Sequence, residues 1–142
     1  TGVQTCALPI SDHLARHRLA DLFLDNIPVN AHTTASDALW AGLPVLTILG
    51  DTFVGRVAAS LLHAVGLPEL IAESPEAYEQ MAVDLATDPS RLAALKARLA
   101  ANRPTAPLFD TKRFTRHIEA AYTAMYRRHQ AGLAPDHIDV PA

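Results

Sequence analysis

Two short apolar runs, Leu22–Leu24 and Pro44–Leu49, are each followed by a polar loop and then by a segment with helical spacing of its apolar residues. Apolar runs of this length are typical of strands that are buried on both faces of a parallel sheet. A third short strand is predicted at Glu69–Ile71. Because strands and helices alternate along the chain, the sequence predicts an α/β fold, a parallel sheet flanked by helices. Ligands of such sheets bind beyond the carboxyl ends of the strands, which here are the loops at 26–34 and 50–52.

Local signals define the predicted helices. A helix over Thr34–Ala41 ends at Gly42, and a longer helix is predicted over Phe53–Val65. Two amphipathic helices follow, separated by the turn at Asp88, and a last helix begins after Asp110. The positions on these helices that we predict to be core, without a chemical role, are Trp40, Tyr78, Met81, Ala82, Leu85, Leu92, Leu95 and Leu99.

The stretch His32–Asp37 places an imidazole and hydroxyl groups at the start of the first of these helices. A helix N-terminus has unpaired N–H groups and a partial positive charge, and both favour a bound anion such as phosphate. His32, Thr33 and Thr34 would add side-chain donors, and Asp37 could accept a hydrogen bond from a sugar hydroxyl. The same residues also resemble a capping box, Thr34 with Asp37 in place of Glu or Gln, and spacing alone favours this capping role. The two roles are compatible.

Composition excludes several classes of protein. The 142 residues include 49% hydrophobic and 19% charged residues, which is a globular composition. The formal net charge is −3, so we expect no nucleic-acid partner. No apolar run approaches the length of a membrane span. Cys6 is the single cysteine and no Cys/His cluster has zinc spacing, so a cytoplasmic location is the simplest interpretation.

The chain divides into four predicted segments. Residues 1–11 have neither helical nor strand period, and we predict a non-native or disordered leader there. Residues 12–104 are predicted to form the α/β lobe that contains the parallel sheet. Residues 105–131 are predicted to form a C-terminal helix that packs on this lobe, and residues 132–142 to form a tail.

The chain resembles the C-terminal catalytic lobe of the protein O-GlcNAc transferase family, SPINDLY-like members included, over about residues 12–139. The motifs that carry this resemblance are specific in combination, although each alone would be weak. They are His13–Asp21, Asn30–Val45, Gly50–Ser60, Pro107–Thr111 and Pro135–His137.

This resemblance implies the C-terminal half of a GT-B glycosyltransferase that transfers N-acetylglucosamine from UDP-GlcNAc to Ser or Thr of proteins. It also implies that residues 12–104 are a partial Rossmann-like lobe that binds a UDP-sugar. It implies inversion of the anomeric centre, with no metal and no cofactor besides the donor substrate. By the same resemblance, His13 and Arg16 contact uracil. His32, Thr33 and Thr34 contact the diphosphate, and Asp37 lies on the ribose side.

The resemblance also implies partners that these residues do not supply. They are a protein or peptide acceptor, an N-terminal lobe and tetratricopeptide repeats upstream. The family places a lysine shortly before the first matching histidine, where this chain has Pro9-Ile10-Ser11. No residue of this chain is therefore predicted to be catalytic, and we expect this segment alone to be inactive. Two alternatives stay open: a transferase that uses another UDP-sugar or acceptor, and a non-catalytic interaction module.

Overall fold

A parallel sheet lies at the centre of the computed structural model, which describes residues 9–140. Its strands among these residues are β1 (Phe23–Leu24), β2 (Val45–Ile48) and β3 (Ile71–Ala72), in the order β1-β2-β3. Phe23 is opposite Val45 in the first pair, and Thr47 is opposite Ile71 in the second. The predicted α/β class with a parallel sheet is confirmed.

Helices precede, connect and follow the strands. Their bounds are α1 (Ile10–Ala15), α2 (Thr33–Ala41), α3 (Val57–Ala64), α4 (Pro75–Thr87), α5 (Pro89–Asn102) and α6 (Thr111–Gln130). Short 3-10 helices lie at Arg16–Leu19, Phe53–Gly55, Pro68–Leu70 and Pro107–Phe109. In the part of the chain that the structure describes, no helix is both long enough and apolar enough to cross a membrane.

The ends of several helices follow from the expected local chemistry. Gly42 ends α2 with a φ of 90°, a left-handed conformation that costs glycine little. Ser74, Asp88 and Asp110 are the N-caps of α4, α5 and α6, and each side chain accepts a hydrogen bond from a backbone N–H in the first turn. Pro89 then occupies the first position of α5, where its missing N–H costs nothing.

The core surrounds the central strand. Every residue of β2 is buried, and α2, α3 and α4 all contact this strand. The largest apolar side chains that are almost fully buried are Leu39, Leu46, Leu62, Leu67, Leu70, Leu85, Leu99, Val45 and Val65. Because these residues come from every helix between α2 and α5 and from the strands, the sheet and its helices share one core.

Two predictions about buried residues are wrong. The first strand is not buried on both faces, since Leu24 is 54% exposed and β1 pairs only with β2 among the described residues. Trp40 is not a core residue, since it is 50% exposed. The buried stripe of α2 is Ala35, Ala38 and Leu39, and the next residue along a helix points about 100° away from its neighbour.

Some boundaries also differ from their predictions. The predicted helix over 53–65 is divided into a 3-10 helix and α3, and β3 begins at Ile71 because Pro68–Leu70 forms a 3-10 helix. Helix α1 begins at Ile10, within the segment predicted as a leader. The rest of that segment, residues 1–8, lies outside the described residues.

The chain forms two compact units, the first ending at Ala106 and the second beginning at Pro107. The second unit contains α6, which has no buried residue, and an irregular C-terminal segment. Within this unit Arg128 contacts both the carbonyl of Ala134 and the carboxylate of Asp136.

Candidate functional site at the carboxyl edge of the sheet

The loops that follow β1 and β2 lie against each other at the carboxyl ends of these strands. The backbone N–H of Asn30 donates to the carbonyl of Val54 at 2.9 Å. The imidazole Nε2 of His32 lies 3.4 Å from the same carbonyl, and its ring meets Phe53 edge to face. The loop predicted at 26–34 therefore contacts the 3-10 helix that directly follows the loop predicted at 50–52, and His32 is part of this junction.

Helix α2 begins at this junction without a side-chain cap. Its N-cap residue is His32, whose side chain makes no capping hydrogen bond. The predicted capping box is wrong, because Thr34 is already the second helical residue and Asp37 binds elsewhere. Within residues 9–140, no hydrogen bond uses the backbone N–H of Thr33 or Thr34. Both threonines are exposed, so the N-terminus of α2, which we call the mouth of α2 (His32–Thr34), offers N–H groups and hydroxyls to an anion.

Asp37 and His13 form a pair. Nε2 of His13 lies 3.1 Å from Oδ2 of Asp37, and both side chains are largely but not fully buried. This contact joins α1 to α2, so two residues that were predicted to act on different parts of a ligand lie side by side. Asp37 is a hydrogen-bond acceptor for Nε2–H, a role that fixes the orientation of the imidazole ring.

His17 supports His13 from the other side. Its Nδ1 donates to the carbonyl of His13 at 3.1 Å, and the two rings meet edge to face with centroids 5.4 Å apart. The only signal for this pairing in the sequence is the spacing of four residues. Arg16 is the first residue of the 3-10 helix that follows α1, and this 3-10 helix contacts α2. The Arg16 side chain is exposed.

Asp25 is a buried acid at the end of β1 that in the sequence marks only the boundary of an apolar run. It is 6% exposed, and its carboxylate accepts from the backbone N–H of Asn26 at 2.8 Å and of Ala31 at 2.6 Å. The hydroxyl of Thr47, in β2, donates to the other carboxylate oxygen at 2.6 Å. The phenol of Tyr78, in α4, donates to the carbonyl of Asp25 at 2.9 Å. Asp25 therefore connects the loop at 26–31 to the sheet and to a helix.

The position of Tyr78 gives a testable pH dependence. Burial and then the negative charge of Asp25 raise the pKa of the Tyr78 phenol above its usual value of 10.0. The folded protein therefore keeps this proton at pH values where the unfolded chain loses it. The stabilising contribution is complete below about pH 10 and is lost as the pH rises through the raised pKa.

We expect the free energy of unfolding to fall less steeply above about pH 10 in Tyr78→Phe than in the wild type, since the variant has no proton there to lose. Urea unfolding at a series of alkaline pH values measures the difference. Parallel curves for the two proteins would show that Tyr78 does not titrate differently in the folded state.

No group of three or more His, Cys, Asp or Glu side chains within residues 9–140 is placed to hold a metal ion. The chemistry that the edge of the sheet does offer is anion binding by N–H groups, hydroxyls and the His32 imidazole. The His13–Asp37 pair on α1 and α2 adds an aromatic ring and a hydrogen-bond acceptor nearby. Such a set of groups suits a ligand that combines a phosphate with a planar or sugar moiety.

Comparison with known proteins gives one consistent result. The model of glycosyl transferase family 41 matches residues 3–118. A probable UDP-N-acetylglucosamine–peptide N-acetylglucosaminyltransferase SEC of Arabidopsis thaliana is 44% identical over 131 residues, which are 92% of this chain and 13% of that protein. The UDP-N-acetylglucosamine–peptide N-acetylglucosaminyltransferase of Caenorhabditis elegans is 39% identical over 127 residues, 89% of this chain and 11% of that protein.

A solved structure shows the same fold. A mutant O-GlcNAc transferase of Thermobaculum terrenum superposes with a TM-score of 0.79 at 37% identity, over 84% of this chain and 23% of that one. The chain thus spans about an eighth of the length of the curated relatives. The predicted resemblance and the predicted fold class, the C-terminal half of a GT-B glycosyltransferase, are both confirmed.

Proposed function

The chain belongs to glycosyl transferase family 41, and on that premise we propose that it is the donor-binding part of an inverting, metal-independent enzyme that transfers N-acetylglucosamine from UDP-GlcNAc to Ser or Thr of proteins. The proposed donor is UDP-GlcNAc, and no further cofactor is needed. The proposed partners are a protein or peptide acceptor, an N-terminal lobe and tetratricopeptide repeats. The proposed location is the cytoplasm.

The observation that carries the proposal is the open N-terminus of α2. Side chains usually satisfy the first N–H groups of a helix, yet the N-cap His32 makes no capping bond and Thr33 and Thr34 are exposed. A diphosphate at this position would accept hydrogen bonds from these groups and interact with the positive end of the helix. The same groups would stabilise the negative charge that develops on UDP as the sugar departs.

The nucleoside end of the donor fits the neighbouring pair. His13 and Asp37 lie together beside the helix mouth, and Arg16 is exposed on the adjacent 3-10 helix. In the proposed complex the His13 ring and the Arg16 guanidinium contact the uracil. Asp37 then accepts a hydrogen bond from a ribose hydroxyl, as its position one turn inside α2 suggests.

The double variant His13→Ala/Arg16→Ala tests this division of the site. We expect it to weaken UDP binding by about tenfold or more while leaving pyrophosphate binding nearly unchanged, because both side chains act on the base. Titration of the ¹⁵N-labelled chain with each ligand, followed by NMR at the amides of Thr33 and Thr34, measures both affinities.

Two results would contradict the proposal in different ways. Equal losses for UDP and pyrophosphate would indicate a general charge effect rather than recognition of the base. A wild-type chain whose amide signals do not move with millimolar UDP would favour a non-catalytic interaction module.

A further inference from the structure

We propose that Asp25 is a positioning residue that holds the mouth of α2 in the geometry that binds the donor diphosphate. This inference rests on the proposed function, since it assigns a purpose to a network behind the same site. The observation that carries it is a single buried carboxylate that accepts hydrogen bonds from both ends of one loop and from the central strand.

The loop at 26–31 is closed on itself by one oxygen atom. Oδ1 of Asp25 accepts from the N–H of Asn26, at the start of the loop, and from the N–H of Ala31, at its end. The amide of Asn30 adds a third contact across the loop, because its Nδ2 donates to the carbonyl of Asn26 at 3.2 Å. These bonds fix the position of Ala31, the residue immediately before the N-cap His32.

Asp25 is itself held from two directions. The Thr47 hydroxyl, fully buried in β2, donates to Oδ2 of Asp25, and the Tyr78 phenol donates to its carbonyl. No ion pair among the described residues involves Asp25. Its charge is therefore stabilised by short hydrogen bonds alone, and these are strong only while every donor keeps its direction.

The hydrogen bonds of Asp25 also determine where the ligand-binding groups at the N-terminus of α2 lie. Ala31 leads directly to His32, and the Asn30 backbone and the His32 imidazole both contact the carbonyl of Val54 in the 3-10 helix at Phe53–Gly55. A shift of the loop at 26–31 would therefore move the first N–H groups of α2 relative to this 3-10 helix. Binding sites made of several donors lose affinity when they are displaced by as little as about 1 Å, so a fixed loop has a direct effect on diphosphate binding.

A matched pair of substitutions at Thr47 tests the role of the hydrogen bond. Thr47→Val keeps the shape of the side chain and removes the hydroxyl, whereas Thr47→Ser keeps the hydroxyl and removes a buried methyl group. Both changes lower stability, by different mechanisms. Only Thr47→Val removes a donor from Asp25, so only that variant should affect the loop.

We expect Thr47→Val to weaken UDP binding about fivefold or more and Thr47→Ser to stay within about twofold of the wild type. NMR titration of the labelled chain with UDP measures the affinities, and urea unfolding measures the loss of stability in each variant. Amide hydrogen exchange gives a readout without ligand: the N–H groups of Asn26 and Ala31 should exchange faster in Thr47→Val than in Thr47→Ser.

If Thr47→Val does not fold, Tyr78→Phe tests the same role, because it removes the partly buried hydrogen bond from the phenol to the Asp25 carbonyl. It should accelerate exchange at Ala31 and weaken UDP binding in the same direction. Equal UDP affinities for the Val and Ser variants, with unchanged exchange at Ala31, would overturn the positioning role. A wild type that does not bind UDP would instead overturn the proposed function, and amide exchange would then decide alone whether Asp25 holds the loop.

Discussion

Replacing Thr34 by Asp should abolish most UDP binding while leaving the chain at least as stable as the wild type. Thr34 is an exposed residue in the first turn of α2, where a carboxylate interacts favourably with the helix dipole by about 0.3–1 kcal/mol. The same carboxylate would repel a diphosphate at the helix mouth. Two unit charges about 4 Å apart repel by about 1 kcal/mol in water and about 4 kcal/mol at an effective dielectric constant of about 20. We therefore expect a loss of affinity of about tenfold to a thousandfold.

The opposite signs of the two effects make this experiment decisive. UDP affinity by NMR titration and free energy of unfolding by urea are measured on the same protein samples. Thr34→Val is the control, since it removes the hydroxyl without adding charge and should cause a smaller loss of affinity. Unchanged UDP binding in Thr34→Asp would show that the diphosphate does not bind at α2.

Asp25→Ala should destabilise the chain more than any of the other substitutions proposed above. It leaves three donors without their acceptor: the partly buried N–H groups of Asn26 and Ala31, and the fully buried hydroxyl of Thr47. A buried donor without a partner costs about 1–3 kcal/mol and each partly buried hydrogen bond contributes about 0.5–1.5 kcal/mol, so we expect the free energy of unfolding to fall by about 2 kcal/mol or more. Urea unfolding followed by circular dichroism measures this change.

Asp25→Asn is the matched control for that experiment. An asparagine oxygen can still accept from both backbone N–H groups, and its amide can donate to the Thr47 oxygen, so the loss should be clearly smaller. If the Ala and Asn variants were equally stable, the hydrogen bonds of the carboxylate would not be what stabilises the loop.

Features with a local cause were predictable from the sequence. Gly42 ends α2, and Asp88 and Asp110 cap α5 and α6, because each signal acts within one helical turn. The fully buried strand β2 was predictable as well, because a continuous apolar run in an α/β chain is typical of a strand that helices cover on both faces. The helix mouth at His32 was found because it directly follows the first strand and its loop.

Features that depend on distant partners were not predictable. Asp37 belongs to a capping box by spacing, but in the structure it pairs with His13, 24 residues away. Leu24 has the sequence of a buried strand residue, yet it is exposed, because burial depends on whether another element covers its face of the sheet. Asp25 marks the end of an apolar run in the sequence, and only the pairing of β1 with β2 brings Thr47 to its carboxylate.

The half-exposed Trp40 gives the chain an optical label at a known position. It is the only tryptophan, it lies at the opposite end of α2 from the mouth, and the guanidinium of Arg103 lies over its ring at 5.7 Å. A helix of this length is about 13 Å long, so pyrophosphate bound at Thr33 does not reach the indole. A change in Trp40 fluorescence when such a ligand binds therefore reports a movement of α2, and not direct contact between the ligand and the indole.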